Sequence, residues 1–156
     1  MRRTDREVTD ISEVRAILSR CRVCRLALNT GGAPYIVPMN FGFTLEDGAL
    51  TLYFHAAREG RKLDLLRADP RVGFELDREI GLIEGETACK YGFAYESVIG
   101  AGTARLVTDE TEKCGALTAI MLAQTGRAFS FTGEQTERVA VIAVRADSFT
   151  AKRRGK

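Results

Sequence analysis

Residues 52–66 read LYFHAAREGRKLDLL. A strand-like run ends here on the chain's only histidine, His55, and passes at once into Arg58, Gly60, Arg61 and Lys62. Gly60 gives the backbone freedom to turn, and the spacing puts Arg61 and Lys62 on the first turn of a following helix. Cations are unfavourable there, because a helix N-terminus already carries partial positive charge. Amides, Arg and Lys gathered at one point make sense if an anion binds between them. Phosphate is the obvious candidate, since Arg grips it bidentately and Lys meets it as a point charge. The plain alternative is a solvated basic turn neutralised by Glu59 and Asp64. His55 shares a strand face with Thr51 and Tyr53, opposite Leu50, Leu52 and Phe54. That position suits a surface residue, a hydrogen-bonding residue or a site residue beside the anion. With no second histidine it belongs to no poly-histidine metal site.

A second stretch, VPMNFGF, places Tyr35, Val37, Met39, Phe41 and Phe43 on one face of a strand. Ile36, Pro38, Asn40 and Gly42 take the other. Pro38 cannot donate to a sheet ladder, so it belongs at an edge or a bulge. Its face is too small and polar for core. Either a flat ligand lies there against exposed backbone, or the proline simply protects an edge strand from aggregation.

Other chemistry is poorly represented. Cys21-Arg-Val-Cys24 has the spacing of a redox or zinc half-site. A redox pair, however, opens a helix whose amides stabilise its thiolate, and this pair closes a helix and begins a strand. Cys89 and Cys114 stand alone, so a zinc site lacks a second tight pair; packing roles are expected, and no metal site. There is no G-x-S-x-G elbow, no Walker loop and no G-x-G-x-x-G after a strand. If the chain is an enzyme, a cofactor carries its chemistry.

The elements that must hold these residues are well marked. At 156 residues, 45% hydrophobic and 28% charged, the chain fits one globular domain spanning 1–156. A net charge of +2 gives no sign of a nucleic-acid surface. No run approaches the ~20 apolar residues of a membrane span. The charged start MRRTDREVTD lacks a signal-peptide h-region, so a cytoplasmic protein is expected. Asp10 with Glu13 begins one helix and Asp109 with Glu112 another. Gly31-Gly32 and Asp47-Gly48 mark turns between strands. Residues 60–68 read as a short helix stopped ahead of Pro70, and 79–94 as mostly loop. YESVIGAGTARLV is a long strand that Gly100 and Gly102 bend or bulge. Six or so strands joined by tight turns, with helices at the periphery, predict a mainly β fold: an antiparallel barrel rather than an alternating parallel sheet.

Taken together, VPMNF, YFHxAxEGRKLDLL and SVIGxG, in this order along nearly the whole chain, resemble the pyridoxamine 5′-phosphate oxidase-like flavoproteins. The branch they match is the one named for nitroimidazole-resistance proteins. The resemblance implies a split β-barrel of the FMN-binding type, homodimeric, with FMN between the subunits. Carried over by position, it implies His55, Arg58, Gly60, Arg61 and Lys62 at the phosphate and ribityl end. Pro38, Met39, Asn40 and Phe41 would line the ring, and Ser97 and Val98 would approach it, from the partner subunit if not from the same one. His55 is then the candidate catalytic residue on the substrate side. The implied activity is reduction of small electron-poor acceptors, such as nitroaromatics, by NAD(P)H. The other reading is a non-catalytic flavin- or haem-binding module. Ala94 and Glu96 depart from the aromatic-Arg pair common before SVIG, so the specific substrate does not carry over.

Overall fold

The computed structural model describes residues 3–155. A two-residue strand β1 (Glu7–Val8) precedes helix α1 (Ile11–Arg20), which Asp10 caps by accepting a hydrogen bond from the Glu13 amide at 3.0 Å. Strands β2 (Cys24–Leu28), β3 (Tyr35–Met39), β4 (Gly42–Glu46) and β5 (Ala49–Ala56) follow, then helix α2 (Arg61–Ala68). Long strands β6 (Arg71–Ile83) and β7 (Gly92–Leu106) form a hairpin. Helices α3 (Glu110–Thr125) and α4 (Gly133–Glu137) lead to the final strand β8 (Ala140–Arg154). All strands join one antiparallel sheet in the order β3-β2-β6-β7-β8-β5-β4, with β1 on β8. The expected mainly β, antiparallel barrel is what forms, with eight strands rather than about six.

The connection between β3 and β4 shapes the whole sheet. These strands lie at opposite ends of a seven-strand path. Flattened out, the six steps between them would cover about 29 Å at ~4.8 Å per step. Yet Met39 and Gly42 are three residues apart, a reach of roughly 10 Å at most. The sheet must therefore curl until its edges approach. No ladder joins β3 to β4 among the described residues, so the barrel stays split. Asn40 and Phe41 make the crossing, and the single alternating strand expected over residues 34–44 is broken there. Alternation survives through Phe41, which is fully buried, and then slips at Gly42. A Cβ on Gly42 would come within 2.3 Å of the Ile120 backbone, so this glycine lets α3 lie directly on β4.

The core fills the barrel. Leu26, Leu28, Phe41, Phe54, Leu76 and Ile142 are each wholly inaccessible, and α1 plugs one end with Ile17 and Leu18. Asp47 and Gly48 adopt φ of 49° and 82°, the left-handed pair a tight hairpin needs. Residues 79–94, expected as loop, are half strand: β6 and β7 pair from Ile83–Gly92 onward, with a register shift at Ile80. Mixed polarity there reflects a two-stranded ribbon largely exposed on both faces, with Ala94 its one fully buried residue. The bulge expected near Gly100 and Gly102 falls between Ala101 and Gly102, opposite Asp147 of β8.

One charge cluster ties the helix plug to the sheet. Glu96 of β7 is 3% exposed and accepts from Arg20 of α1 at 2.6 and 2.8 Å and from Arg153 of β8 at 2.8 Å. Burial pushes its carboxyl up, but the two arginines outweigh that and hold it below the usual range. We expect Glu96→Gln to destabilise the fold by about 2–3 kcal/mol, less than the ~3–5 kcal/mol of a fully buried pair because both arginines are partly exposed. With a depressed folded-state pKa, the contribution of Glu96 is complete above about 4.5, its ordinary value, and is lost as pH falls further. Urea midpoints measured from pH 7 to pH 3 in both proteins check this; midpoints that converge toward acid pH are expected.

Candidate functional site

Because the barrel curls, the start of α2 meets strand β3. Arg61 stacks its guanidinium over the Tyr35 ring, 4.7 Å from the centroid. Lys62 brings its Nζ to 3.6 Å from Met39 Sδ. Between them opens a pocket of about 190 Å³ lined by Tyr35, Ala56, Gly60, Arg61, Lys62 and Leu63, among others. Gly60 caps α2 with φ 129° and no side chain. Positive φ of this kind strains any other residue.

Glu59 also lines this pocket, but it forms no ion pair with the pocket's cations. Lys62 is half-buried, and burial lowers the pKa of its ammonium. No carboxylate lies within ion-pair distance of Arg58, Arg61 or Lys62 among the described residues, and Asp64 is paired instead with Arg67 at 3.0 Å. Arg58, Glu59, Arg61 and Asp64 are all exposed, so the turn itself is solvated. A half-buried cation without an ion-pair partner is costly unless something completes it.

Other sequence expectations fare unevenly. His55 is exposed on the outer face of β5; its neighbours Ala56 and Ala57 line the pocket and it does not. Arg58 lies on the far side of Gly60, lining adjoining depressions instead. Pro38 is exposed on β3, which pairs only with β2 and so leaves one backbone edge open beside it. Met39 is buried and meets the site through its sulfur. Asn40 has its amide nitrogen engaged, donating to the Arg22 carbonyl and to Gln124 at 3.1 Å each. Phe41 and Val98 are wholly buried within the chain, backbone included, so neither is open to a ligand there. Phe41 has even its carbonyl taken, by Gln124 at 2.9 Å.

Ser97 and Val98 stand apart from β3. Met39 pairs with Cys24, Cys24 with Leu76 and Leu76 with Val98, so two strands intervene. At ~4.8 Å per strand that is about 14 Å within one chain. Two features escaped sequence reasoning. Tyr35 packs against the core and also meets Arg61, 26 positions away. Arg25 sits opposite Pro38 and pairs with Glu75 at 2.9 Å and Asp77 at 2.5 Å, making a charged floor on that outer face. Neither pairing leaves a local signal, since its members come from different strands.

The cysteine pair is structural. Cys21 and Cys24 are buried, and burial pushes their thiols up to about 11 and about 12. Among the described residues, no three metal-ligating side chains converge.

An antiparallel split barrel with a cationic pocket where β5 turns into α2 defines the class of this protein. Its residues 10–153 match the family model for pyridoxamine 5′-phosphate oxidase, and the chain belongs to that family. It is similar to a proposed 5-nitroimidazole antibiotic resistance protein from Bacteroides thetaiotaomicron, with 30% identity over 94% of this chain and 85% of the other, and a TM-score of 0.77. A flavocytochrome from Azotobacter vinelandii shares the fold at 21% identity, over 100% of this chain and 72% of its own, with a TM-score of 0.79. An FAD- and haem-binding protein from Mycobacterium smegmatis does so at 17%, over 97% and 74%, with a TM-score of 0.78. Comparison with curated proteins gives no match. No helix among the described residues is long and apolar enough to cross a membrane.

Thiol labelling of the native protein checks the cysteine assignment. Cys89, which is exposed, should react readily with iodoacetamide, while Cys21 and Cys24 stay unmodified until the chain unfolds. Rapid modification of either buried thiol would return the pair to consideration as a redox site.

Proposed function

We propose that this protein is a cytoplasmic, homodimeric FMN-dependent oxidoreductase that reduces small electron-poor acceptors, nitroaromatics among them, with NAD(P)H as donor. Lys62 carries this reading. Its half-buried ammonium forms no ion pair with a carboxylate among the described residues and stands beside Arg61 at an open pocket. A phosphate dianion fits that donor set: Arg61 offers a planar fork, Lys62 a point charge, and the first turn of α2 its free amides. FMN, when bound, supplies the hydride and electron transfer that no side chain here can perform.

The remaining work falls to the chain itself. Stacking on Tyr35 holds Arg61 in place, so little side-chain entropy is lost when it grips an anion. The open edge of β3 beside Pro38 offers backbone groups to a flat heterocycle, and the sheet behind it excludes water. His55, exposed near the end of β5, is assigned as a proton donor on the acceptor side. Ser97 and Val98 take part only if a second copy brings them against β3, which is the reason for proposing a dimer. The name of the Bacteroides thetaiotaomicron relative supports a nitro-substituted acceptor, and those of the other two support a flavin. The same two names raise a second reading, a non-catalytic flavin or haem module in which His55 is the one imidazole available as an axial ligand.

The absorption spectrum of the purified protein separates these readings: flavin bands are expected, and a Soret band would favour haem. Arg61→Ala combined with Lys62→Ala should weaken FMN binding by roughly 3 kcal/mol or more, about twice the effect of one charge-assisted bond. Unchanged affinity would sink the phosphate assignment. Anaerobic NAD(P)H should bleach the bound flavin; if it never does, the enzyme reading fails while the binding reading stands.

A further inference from the structure

Asn40 and Gln124 meet where strand β3 gives way to the crossing into β4. Each side chain ends in an amide, whose oxygen accepts and whose nitrogen donates. Backbone carbonyls decide which end goes where. Gln124 lies 2.9 Å from the Phe41 carbonyl, which can only accept, so Gln124 must turn its Nε2 there. Its Oε1 is then the end that faces Asn40, at 3.1 Å, and it needs a donor. The Arg22 carbonyl, also 3.1 Å from Asn40, needs one too. Asn40 serves both through Nδ2, and the two bonds use both hydrogens of that nitrogen.

The circuit closes on its far side. Arg22 donates its guanidinium to the Ala123 carbonyl and, at 3.5 Å, to the Gln124 carbonyl. These carbonyls belong to the last turn of α3, where none has a partner within the helix. A cation is also favourable at that end of the helix dipole. Gly126, with φ 73°, ends α3 directly afterwards. Arg22 therefore grips the backbone of Gln124 with its side chain and the side chain of Asn40 with its backbone. Partners from the end of α1, the crossing and α3 together hold the Asn40 amide in one orientation.

What remains is Asn40 Oδ1. It takes the other corner of the planar amide, away from the two groups that Nδ2 serves. No hydrogen bond among the described residues engages it, and Asn40 is exposed. The crossing thus presents an oriented acceptor, which calls for an N–H on the ligand. An oxidised flavin ring has one N–H, at N3; its other ring nitrogens and its carbonyl oxygens only accept. We propose that Gln124 is a positioning residue for the ring. By holding Asn40 with its oxygen outward, it selects the N3–H edge; a reversed Asn40 would favour the ring carbonyls instead. This rests on the flavin reading of the site, and Gln124 acts through Asn40.

The experiment titrates flavin-free protein by fluorescence with FMN and with FMN methylated at N3, which has no N–H to give. Wild type should prefer FMN by at least about fivefold, the worth of one hydrogen bond. Asn40→Ala should bring the ratio close to one. Gln124→Met, which keeps the bulk and loses both amide functions, should lower it in the same direction. Gln124→Glu still accepts from Asn40 but no longer donates to Phe41, and it should keep the preference. Equal affinities in wild type overturn the proposal, as does a preference that survives Asn40→Ala. It is also overturned if Gln124→Met weakens both flavins alike with the ratio intact, or if Gln124→Glu loses the preference, since Gln124 would then serve the fold alone. FMN bound without preference leaves the flavin reading standing while this inference fails. Failure of wild type to bind either flavin removes both.

Discussion

The shortness of the link between β3 and β4 is the constraint on which the rest of the structure depends. Two residues, Asn40 and Phe41, must carry the chain from one edge of the sheet to the other. Closure follows from chain geometry, and the site follows from closure. Tyr35 and Met39 belong to the strand at one edge, while Arg61 and Lys62 follow a strand next to the opposite edge. Their contacts at 4.7 and 3.6 Å exist only because the sheet has curled. On an open sheet, the same residues would be a solvated basic turn and an unrelated edge strand.

The crossing is held from outside the barrel. Gln124, near the end of α3, donates to the Phe41 carbonyl, and the Asn40 amide bonds back to Gln124 and to the Arg22 carbonyl. Gly42 lets α3 approach closely enough for this, since any side chain there would collide with the helix backbone. α3 thus acts as a clamp over the split. At the other end, α1 is fastened by Arg20 to Glu96, and the same carboxylate draws in Arg153 of β8. Glu96 stands where a resemblance-based reading expects a group facing ligand. Its burial instead gives it a structural task and takes it out of substrate recognition.

Much of the fold was legible in the chain because its signals are local. Alternation, the Asp47-Gly48 turn, the Asp10 and Asp109 caps and the stop before Pro70 each involve residues a few positions apart, and each element appears where its signal lies. Reading failed where local pattern and tertiary demand part company. The stretch 35–43 alternates like one strand, but closure breaks it in two. The 79–94 segment has little pattern because its ribbon buries almost nothing but Ala94, yet backbone pairing makes half of it strand.

For the site the division is sharper. Sequence alone determined that Arg61, Lys62 and Gly60 share a helix start where cations are out of place, because that follows from spacing along a single backbone. It also limited Pro38 to an edge or a bulge, because proline lacks the donor an interior strand requires, and the structure makes it an edge. Only the tertiary structure decided that Tyr35 and Met39 face those cations, that Phe41 and Val98 turn inward, that His55 and Arg58 stand outside the pocket, and that Ser97 is two strands away. Those outcomes depend on how far the sheet curls and on which face each strand presents, and both are set jointly by residues far apart in the chain.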